Sequence, residues 1–144
     1  MVNRKILTVT CLTAFLLINC EKANGSKKLL CADFKTGEYQ LVNNDSRKKF
    51  LLERTSHLQI EQTYDLTTGD RIKKDRYYKI SWKNYCEYNL ILDTTRSQYD
   101  EIDLYINSKG GYKCLIKKID NNCSTVETSV EGEDSQISKI CKIQ

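Results

Sequence analysis

Between residues 77 and 92, apolar and polar side chains alternate twice. Tyr78, Ile80 and Trp82 share one parity, and Tyr77, Lys79 and Ser81 the other. After the polar loop Lys83-Asn84-Tyr85, Cys86, Tyr88 and Leu90 resume the apolar parity against Glu87 and Asn89, with Ile91 alone breaking the pattern. Successive side chains on a strand point to opposite faces, so the stretch reads as a β-hairpin with one aromatic face on a core and one face in water. This reading sets Trp82 opposite Cys86, Ile80 opposite Tyr88 and Tyr78 opposite Leu90. A one-residue slip would bury the charges, so the facing is well specified.

The same period recurs along the chain. Gly37 allows a bend before a short strand through Tyr39 and Leu41, and Asn43-Asn44-Asp45-Ser46 is turn chemistry. Strands follow at 50–55 and 58–64, the second closed by a Thr68-Gly69 turn. Ile102, Leu104 and Ile106 alternate next, and Gly110-Gly111 turns the chain into Tyr112, Cys114 and Ile116. That register pairs Ile106 with Tyr112, Leu104 with Cys114 and Ile102 with Ile116. Asp120-Asn121-Asn122 leads into 123–130, and a last strand covers 137–143. About eight or nine strands result, with no convincing helix. The expected fold is all-β, a single antiparallel meander curled or closed into a small barrel, occupying one domain at 26–144.

The N-terminus is different in kind. A basic opening, Arg4-Lys5, precedes an apolar run at 6–18, which is too short to span a bilayer and reads as an export signal. Two processing sites compete. Ala23-Asn24-Gly25 fits ordinary cleavage of a 1–25 signal peptide. Leu17-Ile18-Asn19-Cys20 resembles a bacterial lipobox, giving a 1–19 signal and a lipid on Cys20, although Asn19 departs from the usual small residue. The lipid-anchored form is favoured, because a Cys set directly behind an apolar run is hard to account for otherwise.

Losing 1–25 removes Arg4, Lys5, Lys22 and Glu21, so the net charge falls from +4 to about +2. That excludes the strongly basic, clustered footprint of a nucleic-acid binder. Residues 71–79 hold five basic side chains and 120–136 five acidic ones; solvated edges and loops account for both, with a binding patch as the alternative. Seven cysteines in an exported chain imply an oxidising compartment and disulfides. Once the signal is gone, Cys31, Cys86, Cys114, Cys123 and Cys141 remain. An odd number cannot all pair internally, and the spacing leaves the connectivity open.

Cys31-x-x-Phe34-Lys35-Thr36-Gly37-x-Tyr39, the Thr68-Gly69 turn, Ile80-Ser81-Trp82 and Cys86-Glu87-Tyr88-x-Leu90 together resemble a group of small exported proteins and lipoproteins of Bacteroidota. The likeness covers 31–92 well and 102–119 loosely. It implies export and a Cys31–Cys86 bridge, and it brings no activity with it. Cys114, Cys123 and Cys141 depart from the group's pattern, so their pairing is not implied.

Catalytic constellations are nearly absent. The single histidine, His57, starts a strand and reads as an edge or turn residue; HExxH, GxSxG, P-loop and GxGxxG motifs do not occur. No CxxC supports a metal site, and the carboxylates Asp100, Glu101 and Asp103 read as a solvated face. Nine tyrosines and one tryptophan are the remaining resource. Tyr64, Tyr78, Trp82, Tyr88 and Tyr112 fall on apolar faces, where they pack a core or line a small ligand cavity. The expectation is a non-enzymatic cell-envelope protein without metal, cofactor or nucleic acid, attached to the membrane through Cys20. The alternatives are a lipocalin-like carrier of a small apolar ligand, or an envelope inhibitor or interaction module using the basic 71–79 segment.

Overall fold

The structure, a computed structural model, describes residues 28–143. The export signal, its two processing sites and Cys20 lie outside the described residues. Eight strands run in sequence order: β1 (Gly37–Asn43), β2 (Lys48–Arg54), β3 (Leu58–Asp65), β4 (Arg76–Trp82), β5 (Glu87–Leu92), β6 (Tyr112–Asp120), β7 (Cys123–Ser129) and β8 (Gln136–Lys142). Each pairs antiparallel with the next, and β1 pairs with β8, so the meander closes into a barrel. The expected all-β architecture is therefore found.

Antiparallel succession sorts the connections into two ends. At one end lie the β2–β3, β4–β5 and β6–β7 turns and the 3-10 helix Cys31–Phe34, whose Phe34 is fully buried beneath the barrel. Two disulfides brace this end. Cys31–Cys86 ties the 3-10 helix to the β4–β5 loop, and Cys123–Cys141 joins β7 to β8. With sequence separations of 55 and 18, they stabilise by about 4 and about 3 kcal/mol in the chain-entropy account. The bridge implied by the family resemblance is thus present, and Cys114 is the odd thiol, buried.

Two expectations fail. Ile102, Leu104 and Ile106 do not form a strand opposite Tyr112, Cys114 and Ile116; they lie on α1 (Glu101–Ser108). Asp100 caps this helix by accepting from the Asp103 backbone N–H at 2.9 Å, and the Asp103 carboxylate returns the bond to the Asp100 N–H. At the other end Gly110 and Gly111 take φ of +85° and +80°, and the Gly111 N–H bonds the Ile106 carbonyl at 2.9 Å. These local bonds win over a weak alternation whose apolar members, Ile102 and Leu104, remain exposed. Tyr112 and Cys114 pair with Leu90 and Tyr88 instead.

The β4–β5 register also differs, with Trp82 opposite Tyr88, Ile80 opposite Leu90 and Tyr78 opposite Leu92. The shift of two residues keeps every side chain on its expected face. It arises in the loop, where Asn84 Oδ1 accepts from both the Cys86 and Glu87 backbone N–H groups at 2.9 Å.

Gly111 is the tightest point of the α1–β6 connection: an added Cβ would overlap the Leu90 carbonyl oxygen, whereas at Gly110 it would meet nothing. Left-handed backbone costs a non-glycine residue about 1–2 kcal/mol. Gly110→Ala is expected to lose about that much stability and Gly111→Ala clearly more than about 2 kcal/mol, measured by urea unfolding followed through Trp82 fluorescence. Equal losses would show that the close approach to Leu90 is no constraint.

Candidate functional site

The inward faces of the eight strands do not fill the barrel. They line an open hollow of about 290 Å³ reaching from Leu41, Phe50 and Leu52 on one side to Tyr112, Thr128 and Ile140 on the other. Its floor is polar. Arg54 shares strand parity with Phe50 and Leu52, so it points inward and is only 3% exposed. Its Nε donates to Gln59 Oε1 at 2.7 Å, Nη1 to the Phe34 carbonyl at 3.3 Å and Nη2 to the Tyr88 hydroxyl at 2.8 Å. The guanidinium also lies 5.0 Å from the centre of the Tyr39 ring and 4.8 Å from that of Tyr88. Burial pushes the Tyr39 phenol up to about 12, with Arg54 opposing, and raises that of Tyr88 as well. Cys114 sits beside Tyr88 and Thr128, its thiol likewise raised by burial.

One pleat higher the lining is charged. Glu61 on β3 and Arg76 on β4 are direct cross-strand partners and both line the cavity. Arg76 nevertheless turns its Nη2 to the Asp103 carboxylate of α1, leaving its buried Nε without a partner. Glu61 makes no hydrogen bond or ion pair among the described residues. Burial holds its carboxyl above the ordinary glutamate range; Arg76 and Lys73 act against that shift and Asp103 with it. Tyr78 and Tyr112 meet edge to face beside this pair, ring centres 6.5 Å apart.

The cavity adjoins the far end of the barrel. A second hollow of about 410 Å³, between α1 and the β7–β8 loop, shares Tyr112, Thr128 and Gln136 with it. Across this hollow the Tyr105 hydroxyl donates to Glu133 Oε1 at 2.8 Å. Outside the barrel, a groove of about 910 Å³ between the β3–β4 loop and the start of α1 is lined by Arg71, Lys73, Lys74 and Arg96, and meets the cavity at Arg76.

Of the aromatic residues expected on a ligand face, Tyr78, Tyr88 and Tyr112 line the cavity. Trp82 lies below it, tilted against Tyr88 with ring centres 4.5 Å apart and covered by Lys35. Tyr64 points the other way, bonding Gln62 and covered by Lys49. On β3 the polar parity faces inward: Gln59 and Thr63 are buried, whereas Ile60 and Tyr64 lie on the outer side. On β3 the polar cavity reverses the usual assignment of faces and so hides Gln59 and Glu61 from an apolar-inward reading, whereas Arg54 and Arg76 are in phase with apolar neighbours on β2 and β4. The available signal was Arg54 itself, in phase with Phe50 and Leu52. His57 is exposed in the β2–β3 turn, at the opposite end from α1. No group of three or more His, Cys, Asp or Glu suited to a metal occurs among the described residues, and none of their helices is long and apolar enough to cross a membrane.

Compared with known proteins, the chain matches no family model, no curated protein and no solved structure.

The raised Glu61 carboxyl has a sign that can be measured. The unfolded chain ionises this residue in its ordinary range and the folded chain only at higher pH, so its contribution is fully present below the unfolded value and is lost as pH rises through the folded one. Glu61→Gln is therefore expected to raise the melting temperature at about pH 7 and to change it little at about pH 4. An equal effect at both pH values would mean that the carboxylate is not desolvated.

Proposed function

We propose that the protein is an exported carrier that holds one small molecule inside the barrel without transforming it. The observation that carries this reading is the cavity of about 290 Å³ bounded by the inward residues of the whole sheet. Small-molecule sites begin at about 300 Å³, and a cavity of about 150 Å³ already accommodates a benzene ring, so the occupant is the size of one or two rings. The lining mixes aromatic walls with Arg54, Glu61 and Arg76, which favours an amphipathic ligand over a purely apolar one. Binding without chemistry is supported by where the reactive side chains sit. His57 is remote from the cavity, and the Cys114 thiol is held protonated by burial.

A second reading rests on the outer groove, where Lys73, Lys74 and Arg96 face solvent, while Arg71 and Arg76 are paired with Asp75 and Asp103. It would dock an acidic protein segment in a salt-sensitive manner.

For the carrier, 2-naphthol is a suitable neutral probe. Isothermal titration calorimetry is expected to show one site with Kd on the order of 10–100 µM. Ser138→Phe, which projects a ring into the cavity from β8, is expected to weaken binding at least about tenfold with the melting temperature retained. Binding unaffected by Ser138→Phe would place the probe elsewhere and refute the carrier.

The two disulfides are consistent with an oxidising compartment. We further propose export with a lipid on Cys20 and residence at the cell envelope, as the resemblance to Bacteroidota lipoproteins implies. Intact mass spectrometry of unreduced native protein is expected to give a chain beginning at Cys20 with acyl chains attached. A lipid-free chain beginning at Ser26 would make it a soluble secreted carrier.

A further inference from the structure

One charged side chain of the cavity makes no hydrogen bond or close ion pair, and its sign indicates the ligand. Of the three ionisable side chains that matter, Arg54 is surrounded by three acceptors and two ring faces, and Arg76 is neutralised by Asp103. Asp103 is in turn fixed by the α1 cap. Of these, Glu61 alone makes no hydrogen bond or close ion pair; Arg76 across the strand pair and Lys73 act on it only through space, because Arg76 turns its Nη2 to Asp103. An ionised carboxylate only accepts hydrogen bonds, and charged donors bind it about twice as strongly as neutral ones. Leaving a half-buried carboxylate without a hydrogen bond costs stability, and ionisable groups left so in a cleft cluster at functional sites.

The surroundings narrow the choice. Tyr78 and Tyr112 border the charged layer, and Tyr88 lies below it. Aromatic faces of this kind attract a cation as well as an apolar body. Arg54 at the floor repels a cation there, whereas the charge of Arg76 in the upper layer is met by Asp103, so a positively charged group is favoured beside Glu61. We propose that the ligand is a small primary-amine cation with a ring-sized apolar body, its ammonium donating to the Glu61 carboxylate. This assignment rests on the carrier function of the same cavity.

Three probes of similar size separate the possibilities: 2-phenylethylamine, 2-phenylethanol and phenylacetate, each titrated at neutral pH into the wild-type protein and into Glu61→Gln, with 2-naphthol as a charge-independent control. The amine is expected to bind the wild type about 10- to 100-fold more tightly than the alcohol, with phenylacetate weakest. In Glu61→Gln the amine is expected to fall to the affinity of the alcohol, while 2-naphthol binds as before. If 2-naphthol binds but the alcohol or phenylacetate equals the amine, or the preference survives Glu61→Gln, the amine assignment is overturned and the carrier stands. If 2-naphthol fails to bind the wild type, both are overturned.

Discussion

Closure of the sheet is the constraint on which everything else depends, and it rests on a short seam. β1 meets β8 through Tyr39 opposite Lys142, Gln40 opposite Cys141 and Leu41 opposite Ile140. Only because this seam closes do the inward faces of eight strands converge on a common interior, which at this strand number is just wide enough to be filled by side chains or to hold one small ligand. The Cys123–Cys141 bridge is placed to protect it. Cys141 pairs across the seam with Gln40 on one side and is covalently fixed to β7 on the other, so the last strand cannot fray from the barrel independently.

Arg54 has the corresponding role at the closed end. A buried cation is costly unless its hydrogen bonds are met, and here they come from the 3-10 helix, β3 and β5 together. The three bonds reach separate parts of the chain, so the guanidinium fixes where Phe34 seats under the barrel as well as where the floor of the cavity lies. Cys31–Cys86 constrains the same joint covalently. Floor, plug and disulfide are thus mutually dependent.

Much of this was legible in the residues. Alternation on β4, β5 and β6 identified the strands and their faces, since a closed barrel is still a period-two surface with apolar residues such as Ile80, Leu90 and Ile116 inside. What failed was decided by bonds that alternation does not report. The Asn84 side chain set the β4–β5 loop, and the Asp100–Asp103 cap with Gly110-Gly111 made a helix of residues whose alternation suggested a strand. The Asp-x-x-Asp spacing ahead of Leu104 was the readable cue. The polar members of the site were hidden for a different reason. Glu61 and Gln59 lie on the face that an apolar-inward rule assigns to water, and only pairing with Leu52 and Arg54 of β2 shows that this face points inside.

The two ends of the barrel differ in how they are held, and that difference bears on access. The closed end is secured by a disulfide and by the burial of Phe34, so opening it would require breaking a covalent bond or exposing core. At the other end α1 buries little apolar surface, with Ile102 68% exposed. It is held by directional polar bonds: Asn107 exchanges two hydrogen bonds with the Leu92 backbone at 3.0 and 2.9 Å, Asp103 meets Arg76, and Tyr105 reaches Glu133. Such bonds are each worth little net and re-form readily with water or with one another, unlike packed apolar contacts. The hollow beside α1 shares its inner residues with the cavity, and one of the bonds holding the helix engages Arg76, the residue across from Glu61. A molecule reaching Glu61 through the α1 end therefore meets the weakest part of the fold first and a carboxylate without a hydrogen bond next.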